Sequence, residues 1–343
     1  MAKVVVVTEF PGKTDLATGR LLSGATGQIF WELAQETGLT QHDIVVKSVI
    51  SSRPGSGKIE DFCLNKKEAE MLAPAYHYSS YPRTFIKTGK YLHPRYLGEV
   101  DSLIESIKDE KPNLVICLGS FATWALLGSA KLTALRGTAA ESPFIEGLKV
   151  IPTYHPVTIM RDWSQRVIAG ADLMKATREA TFPEIIRPKR IVKVPETKED
   201  IDSIEKILFT QRRLSLDIET KLGQITCVGF GVSPSLSFCI PITDSRKPDW
   251  NYWSYSDEIH AIKMIKRICE NPLIKKDLQN GVYDIQYLWH VWNIKTMGFA
   301  DDSMIMSHSL YSELPKSLGF LGSVYTNEAS WKLMRKFEEK EVK

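Results

Sequence analysis

Three things are scarce in this 343-residue sequence: paired cysteines, long apolar runs and an excess of one charge. Cys63, Cys117, Cys227, Cys239 and Cys269 are scattered, and none forms a Cys-x-x-Cys pair. That spacing excludes a zinc ribbon or a thioredoxin-type motif and suits buried thiols in a reducing compartment. The most apolar stretch, residues 114–127, is broken by Gly119, Ser120 and Thr123. A spanning helix needs about 20 nearly unbroken apolar residues, so no membrane segment is expected. Met1-Ala2-Lys3 leads directly into strand-like residues 4–7 without the apolar core of a secretory leader, and the expected location is cytoplasmic. The 44 Lys and Arg against 41 Asp and Glu leave a net charge of +3, and the pI of about 8.4 stays below the value of about 9 that marks a strongly basic nucleic-acid module. Charge therefore permits DNA binding without arguing for it. No internal repeat or low-complexity tract is present, which excludes solenoid and fibrous architectures.

The chain is long enough for two domains, and a break is expected near 183–200. There, Pro183 to Pro195 carries three prolines and four basic residues, and proline resists both helix and sheet. The boundaries predicted are a first domain at 1–182, a basic linker at 183–200 and a second domain at 201–343. Before the break, strand-like segments (4–7, 43–50, 114–118, 149–153) alternate with helical ones (26–36, 97–108, 121–127, 165–176). That alternation predicts a parallel sheet with helices on its faces and a site at the carboxyl ends of its strands. After the break, 213–220, 225–232 and 236–242 follow at short intervals, as in an antiparallel meander. Helices are predicted at 256–271, capped by Ser256, and near 282–292. The overall expectation is an α/β chain.

The meander opens with Leu214-Ser-Leu-Asp-Ile-Glu-Thr220. With a period of two, Leu214, Leu216 and Ile218 face one way and Ser215, Asp217 and Glu219 the other, which sets the two carboxylates about 6–7 Å apart along one face. Two such carboxylates repel unless a cation lies between them, and Mg²⁺ or Mn²⁺ suits hard oxygen ligands. A solvated acidic strand face is the alternative reading, and the strand alone leaves both open.

Downstream, Leu278-Gln-Asn-Gly-Val-Tyr-Asp-Ile-Gln-Tyr-Leu288 and Asp301-Asp-Ser-Met-Ile-Met306 follow in order. Together with Asp-x-Glu and the stretch from Leu310 to Thr326, they resemble the 3′→5′ exonuclease domain of A-family DNA polymerases, phage-type members above all, over about 205–335. The resemblance implies an RNase H-like (DnaQ-type) fold and a two-metal mechanism with two Mg²⁺ or Mn²⁺ ions. Asp217 would bridge both ions, Glu219 would position water, Asp284 would bind the second ion and Asn280 would orient its loop. That family's third motif, Tyr-x-x-x-Asp, does not occur after Tyr325, and no polymerase domain follows. The expectation is the front part of a split or truncated polymerase, or a site completed by a partner polymerase chain. Glu338, Glu339 and Glu341 read as a solvated helical tail.

In the first domain, Thr8-Glu-Phe-Pro-Gly12 leads into a glycine-bearing run with Gly19, Gly24 and Gly27. This run, Val115-Ile-Cys-Leu-Gly-Ser-Phe-Ala122, Leu135-Arg-Gly137 and Thr153-Tyr-His-Pro-Val-Thr-Ile-Met-Arg161 resemble the ordered motifs of family 4 uracil-DNA glycosylases over about 4–178. The resemblance implies base flipping and N-glycosidic cleavage. His155 would donate to uracil O2, Glu9 would stand near the water, and Gly12 would bring backbone close to the ligand. Ile159 and Met160 would wedge into the duplex, and Arg161 would hold phosphate. His155 also reads as a turn histidine capping a helix. The family's stacking phenylalanine is replaced by Leu22 and its base-reading asparagine by Ser48. Ser52 and His93 stand where two cluster cysteines belong, so no iron–sulfur cluster is expected and uracil excision is doubtful. Tyr76, Tyr78, Tyr81 and Arg83, like Trp250, Tyr252 and Trp253, interleave aromatics with charge as single-strand binders do, or serve as loop anchors.

The function predicted is a phage-type replication or DNA-processing protein, a proofreading-type exonuclease domain joined to a glycosylase-like domain, acting on single-stranded DNA or a primer 3′ end. The alternatives are a non-catalytic DNA-binding subunit of a split polymerase and an active uracil glycosylase.

Overall fold

The computed structural model describes residues 4–72, 85–87, 89–186 and 189–326. Tyr76, Tyr78, Tyr81 and Arg83, and the acidic tail residues Glu338, Glu339 and Glu341, lie outside the described residues. Contacts divide the chain into two compact units, Met1–Ile186 with Gly319–Lys343, and Arg187–Leu318. Among the described residues no helix is long and apolar enough to cross a membrane.

In chain order the first unit runs β1 (Val4–Thr8), α1 (Lys13–Thr18), α2 (Ala25–Glu36), β2 (Ile44–Ser48), β3 (Cys63–Leu64), α3 (Lys66–Met71), β4 (Phe85–Lys87) and β5 (Lys90–Leu92). It continues with α4 (Leu97–Glu110), β6 (Leu114–Leu118), α5 (Ser120–Leu127), α6 (Leu132–Leu135), β7 (Ala140–Glu141), β8 (Lys149–Thr153), α7 (Pro156–Arg161) and α8 (Gln165–Glu179). The main sheet has the order β2-β1-β6-β8-β7, parallel except for β7. Its central strands β1, β6 and β8 are buried along their whole length and mostly apolar because both faces are covered. Val5, Val7, Val115 and Cys117 pack into one core with α4 and α5, and Val4, Val6, Ile116 and Ile151 into another with α2 and α8.

The second unit comprises β9 (Ile191–Lys193), α9 (Lys198–Phe209), β10 (Arg213–Lys221), β11 (Gln224–Ser233), β12 (Leu236–Pro241), α10 (Tyr255–Glu270), β13 (Lys275–Leu278), α11 (Gly281–Trp292), β14 (Phe299–Asp302) and α12 (Ser303–Leu310). The sheet order is β14-β13-β10-β11-β12-β9. A β10-β11-β12 antiparallel meander with two further strands added parallel on the β10 side is the RNase H-like arrangement. The predicted alternation in β10 holds, with Leu214, Leu216 and Ile218 buried in the core and Ser215, Asp217 and Glu219 exposed.

Several expectations are corrected by the structure. The helix at 255–270 is capped by Ser254, whose hydroxyl accepts from the Asp257 amide, and not by Ser256. The proline-rich 183–200 stretch carries a strand, β9, which pairs in parallel with β12 at the sheet edge before Pro195 ends it. Trp253 is 8 % exposed and donates its indole N–H to the Pro241 carbonyl at 2.6 Å, so it anchors a loop.

The last described helix, α13 (Leu318–Tyr325), also departs from the expected boundaries, because Gly319 onward belongs to the first unit. The cause is a buried polar network. Arg136 donates to Asp172 at 2.5 Å and to the Ser323 hydroxyl at 2.9 Å. Asp172 accepts from the Thr153 hydroxyl at 2.9 Å. Lys175 donates to the carbonyls of Gly137, Ser323 and Thr326. These charges are buried, and the carbonyls at the end of a helix are natural partners for a lysine.

Candidate functional site

The glycine-bearing loop after β1 folds over its own strand. Gly12 caps α1, and its amide donates to Asp15 at 2.9 Å. Asp15 also accepts from the amide and hydroxyl of Ser23, both at 2.9 Å. Burial opposes ionisation of Asp15, and these donors more than offset it, so its pKa lies below the ordinary carboxylate range. The loop then turns through Leu22 in the left-handed region (φ 53°). Gly27 answers that turn, since a Cβ there would lie 1.8 Å from the Leu22 carbonyl oxygen.

These elements border a cavity of about 540 Å³ at the carboxyl ends of β1 and β8, lined by Glu9, Asp15, Leu22, Arg53, His155 and Arg161 among others. Glu9 accepts from the Phe121 amide at 3.0 Å. Gly119 (φ 92°) makes that approach possible, because a Cβ there would stand 2.5 Å from the Glu9 carboxylate. His155 caps α7 with Nδ1, which accepts from the Val157 amide at 3.2 Å. A ring nitrogen that accepts carries no hydrogen, so in neutral imidazole Nε2 carries it and donates to the Thr8 hydroxyl at 3.2 Å. Burial holds the imidazole down to about 4, opposed by Asp15 and assisted by Arg161. His155 is therefore neutral at pH 7, and the capping and donor readings describe the same ring.

The structure brings Glu9, Gly12, Leu22, His155, Met160 and Arg161 to this cavity. Ser48, at the end of β2, lines a different cavity of about 430 Å³ with Glu99 and Ser102. Ile159 is 1 % exposed and belongs to the core. It is not available to wedge into a duplex, a correction that follows from helical periodicity, since α7 turns Ile159 inward and Met160, 52 % exposed, outward. Asp15 and Arg53 were missed as cavity residues. An aspartate three residues after a capping glycine was the available signal for the first.

In the second unit, Asp217 pairs across the ladder with Gly229 and Glu219 with Cys227. Asp284, in the first turn of α11, is 3 % exposed and accepts from the Ile218 amide at 2.9 Å. Burial raises its pKa to about 6, with further upward pushes from Asp217 and Asp302 against the pull of the Ile218 amide. Asn280 caps α11 in the left-handed region (φ 59°). Its amide and that of Gly281 donate to Asp302 at 3.1 and 2.8 Å, and Asp302 also caps α12 through the Met304 and Ile305 amides. Burial opposes ionisation of Asp302, and these four amides outweigh it, so its pKa is lowered. Asp302 thus positions the Asn280 turn and, through it, the start of α11. Among the described residues, no three His, Cys, Asp or Glu side chains are gathered closely enough to hold a metal ion. The hard oxygen donors fit Mg²⁺ or Mn²⁺ in kind, and a cation would favour the charged form of Asp284 that burial, Asp217 and Asp302 oppose.

The first unit is a parallel α/β sheet with a site at its carboxyl edge, and comparison with known proteins gives its class. The model of the uracil DNA glycosylase superfamily matches residues 1–181, and the chain belongs to that superfamily. Type-4 uracil-DNA glycosylase of Thermotoga maritima is 26% identical over 178 residues, 51% of this chain and 76% of that protein. The type-4 enzyme of Archaeoglobus fulgidus is 23% identical over 165 residues, 46% and 67% respectively. Among solved structures, Escherichia coli RNase D matches with a TM-score of 0.31 at 14% identity over 40% of this chain and 34% of that one. A Trypanosoma brucei RNase D in complex with GMP matches with a TM-score of 0.34 at 17% identity over 44% and 46%. The chain thus spans between a third and a half of those two structures, and the RNase H-like assignment rests on the strand order above.

Proposed function

We propose that this chain processes DNA, as a metal-dependent 3′→5′ exonuclease unit joined to a glycosylase-like unit that binds a DNA base. The observation that carries the nuclease part is the placement of Asp217, Glu219 and Asp284 on an RNase H-like strand order, with Asp284 raised first by burial and further by Asp217 and Asp302. Asp217, Glu219 and Asp284 would hold two Mg²⁺ or Mn²⁺ ions, which supply an activated water and stabilise the leaving 3′ oxygen. Asp217 and Glu219 stand exposed to the substrate side, and Asp302 holds the turn that carries Asp284's helix. The phage-type polymerase context, and a partner polymerase chain, belong to this reading. The test is shortening of 5′-labelled single-stranded DNA by the full chain with and without Mn²⁺. Absence of any shortening by protein that still binds DNA favours the non-catalytic subunit.

The pH dependence has two opposite signs. An ion needs Asp284 deprotonated, so Mn²⁺ affinity weakens as pH falls through about 6, by up to about tenfold per pH unit for one linked proton. Without an ion, the folded value of about 6 exceeds the ordinary value of 3.8, so the folded state holds this proton more tightly than the unfolded chain. The group's contribution to stability therefore declines as pH rises from about 4 to 6. Calorimetric Mn²⁺ titrations and ion-free denaturation, each across this range, read the two signs separately. An Mn²⁺ affinity that is flat from pH 7 to pH 5 removes Asp284 from the ligand set.

In the first unit the neutral Nε2–H of His155 would donate to a base carbonyl in place of Thr8, Met160 would press on the DNA stack, and Arg161 would meet phosphate. Excision is disfavoured, because Leu22 has no aromatic face to stack on a base. The paired substitution Leu22→Phe with Ser48→Asn is expected to release no labelled uracil from DNA, since Ser48 lines a cavity other than that of His155. Release of free uracil by the double variant would show that the pocket is two side chains from activity.

A further inference from the structure

The five cysteines differ in setting. Cys117 and Cys269 are fully buried, and the Cys63 thiol donates to the Ile59 carbonyl at 3.4 Å. Cys227 and Cys239 are half-buried on adjacent antiparallel strands. The register sets Cys227 opposite Pro241 and Cys239 opposite Gly229, so the two cysteines are diagonal neighbours on one face of the sheet. Their thiols are near enough to perturb each other's ionisation. The same register sets Glu219 opposite Cys227 and Asp217 opposite Gly229, so the pair lies on the carboxylate face. Gly229 and Gly231 contribute no side chain to that face, which leaves the thiols room to approach.

We propose that Cys227 and Cys239 form a peroxide-oxidisable dithiol, a modification site on the carboxylate face of the second unit. A hydroperoxide oxidises one thiol: its O–O bond breaks, the sulfur takes one oxygen as sulfenic acid, and the remainder leaves as water or alcohol. The second thiol then attacks the sulfenic sulfur, the S–S bond forms and water leaves, so the two electrons lost by the dithiol reduce the peroxide. Diagonal α carbons in an antiparallel ladder lie about 7–8 Å apart, just above the usual upper limit of about 7 Å for a disulfide. Closure therefore draws β12 toward β11, and a bond under such strain is readily reduced again. The register irregularity between Gly231 and Ser233 supplies local slack. The proposal holds whether or not the carboxylates bind metal.

The test treats the full chain with hydrogen peroxide, blocks remaining thiols and maps peptides without reduction. The expected product joins the peptides of Cys227 and Cys239, is lighter by two hydrogen atoms, and disappears on addition of dithiothreitol. Cys227→Ser and Cys239→Ser each lose the cross-link and leave a sulfenic acid on the remaining thiol, trapped by dimedone. Oxidation confined to Cys63, or a cross-link between chains in place of the internal one, overturns the proposal. The wild-type peptide map decides the matter even if a serine variant fails to fold.

Discussion

Replacing Asp217 by alanine is expected to remove Mn²⁺-dependent shortening of 5′-labelled single-stranded DNA, with a rate loss on the order of a thousandfold, or roughly 4 kcal/mol of transition-state stabilisation. Asp217 is exposed on β10, opposite a glycine, and its carboxylate bears on buried Asp284. No core contact is lost with it, because its neighbours Leu216 and Ile218 face the other way. The variant should therefore unfold at the same denaturant concentration as the wild type, which separates a loss of chemistry from a loss of fold. Shortening that persists in Asp217→Ala shows that the activity resides elsewhere. A rate that falls together with stability assigns the residue a structural role.

The second large effect lies in the first unit and concerns stability. Asp172→Ala leaves the buried Arg136 guanidinium and Lys175 ammonium without their shared carboxylate. Removing one partner of a buried ion pair typically costs about 3–5 kcal/mol, because the remaining charge stays desolvated. Burial already lowers Lys175 to about 8 with Asp172 in place, so desolvation bears on the cation even in the intact network. Equilibrium denaturation of the first unit's transition, followed by Trp124 fluorescence, reads the loss. Ser323→Ala removes one hydroxyl partner of Arg136 and should cost only about 1 kcal/mol. A loss below about 1 kcal/mol in Asp172→Ala means that solvent reaches the network and that α13 is not held by buried charge.

Both sites were partly legible in the sequence, for different reasons. The alternation in β10 placed Asp217 and Glu219 on the open face because strand geometry is local. The ordered motifs pointed to His155 and Glu9, and the structure brings both to one cavity. Ile159 was misplaced because a linear motif does not reveal which side of a short helix meets the core. Ser48 aligned with a base-reading position, yet a residue at the end of β2 faces whichever cavity the neighbouring helices leave open. Asp302 appeared only as part of a helix-opening motif, and its hold on the Asn280 and Gly281 amides links segments about twenty residues apart.

By itself, the sequence determined the order of strands and helices, the parallel character of the first sheet, the meander of the second and the facing of its carboxylates. These follow from periods of 2 and 3.6 and from turn chemistry, which act over a few residues. Tertiary structure alone decided three things. The segment from Gly319 joins the first unit, because it brings a hydroxyl to buried Arg136 and two carbonyls to buried Lys175. The Asp284 carboxyl is raised to about 6, because its burial and its acidic neighbours come from three separate elements. Cys227 and Cys239 become diagonal neighbours, because the pairing of β11 with β12 sets them on one face of the sheet.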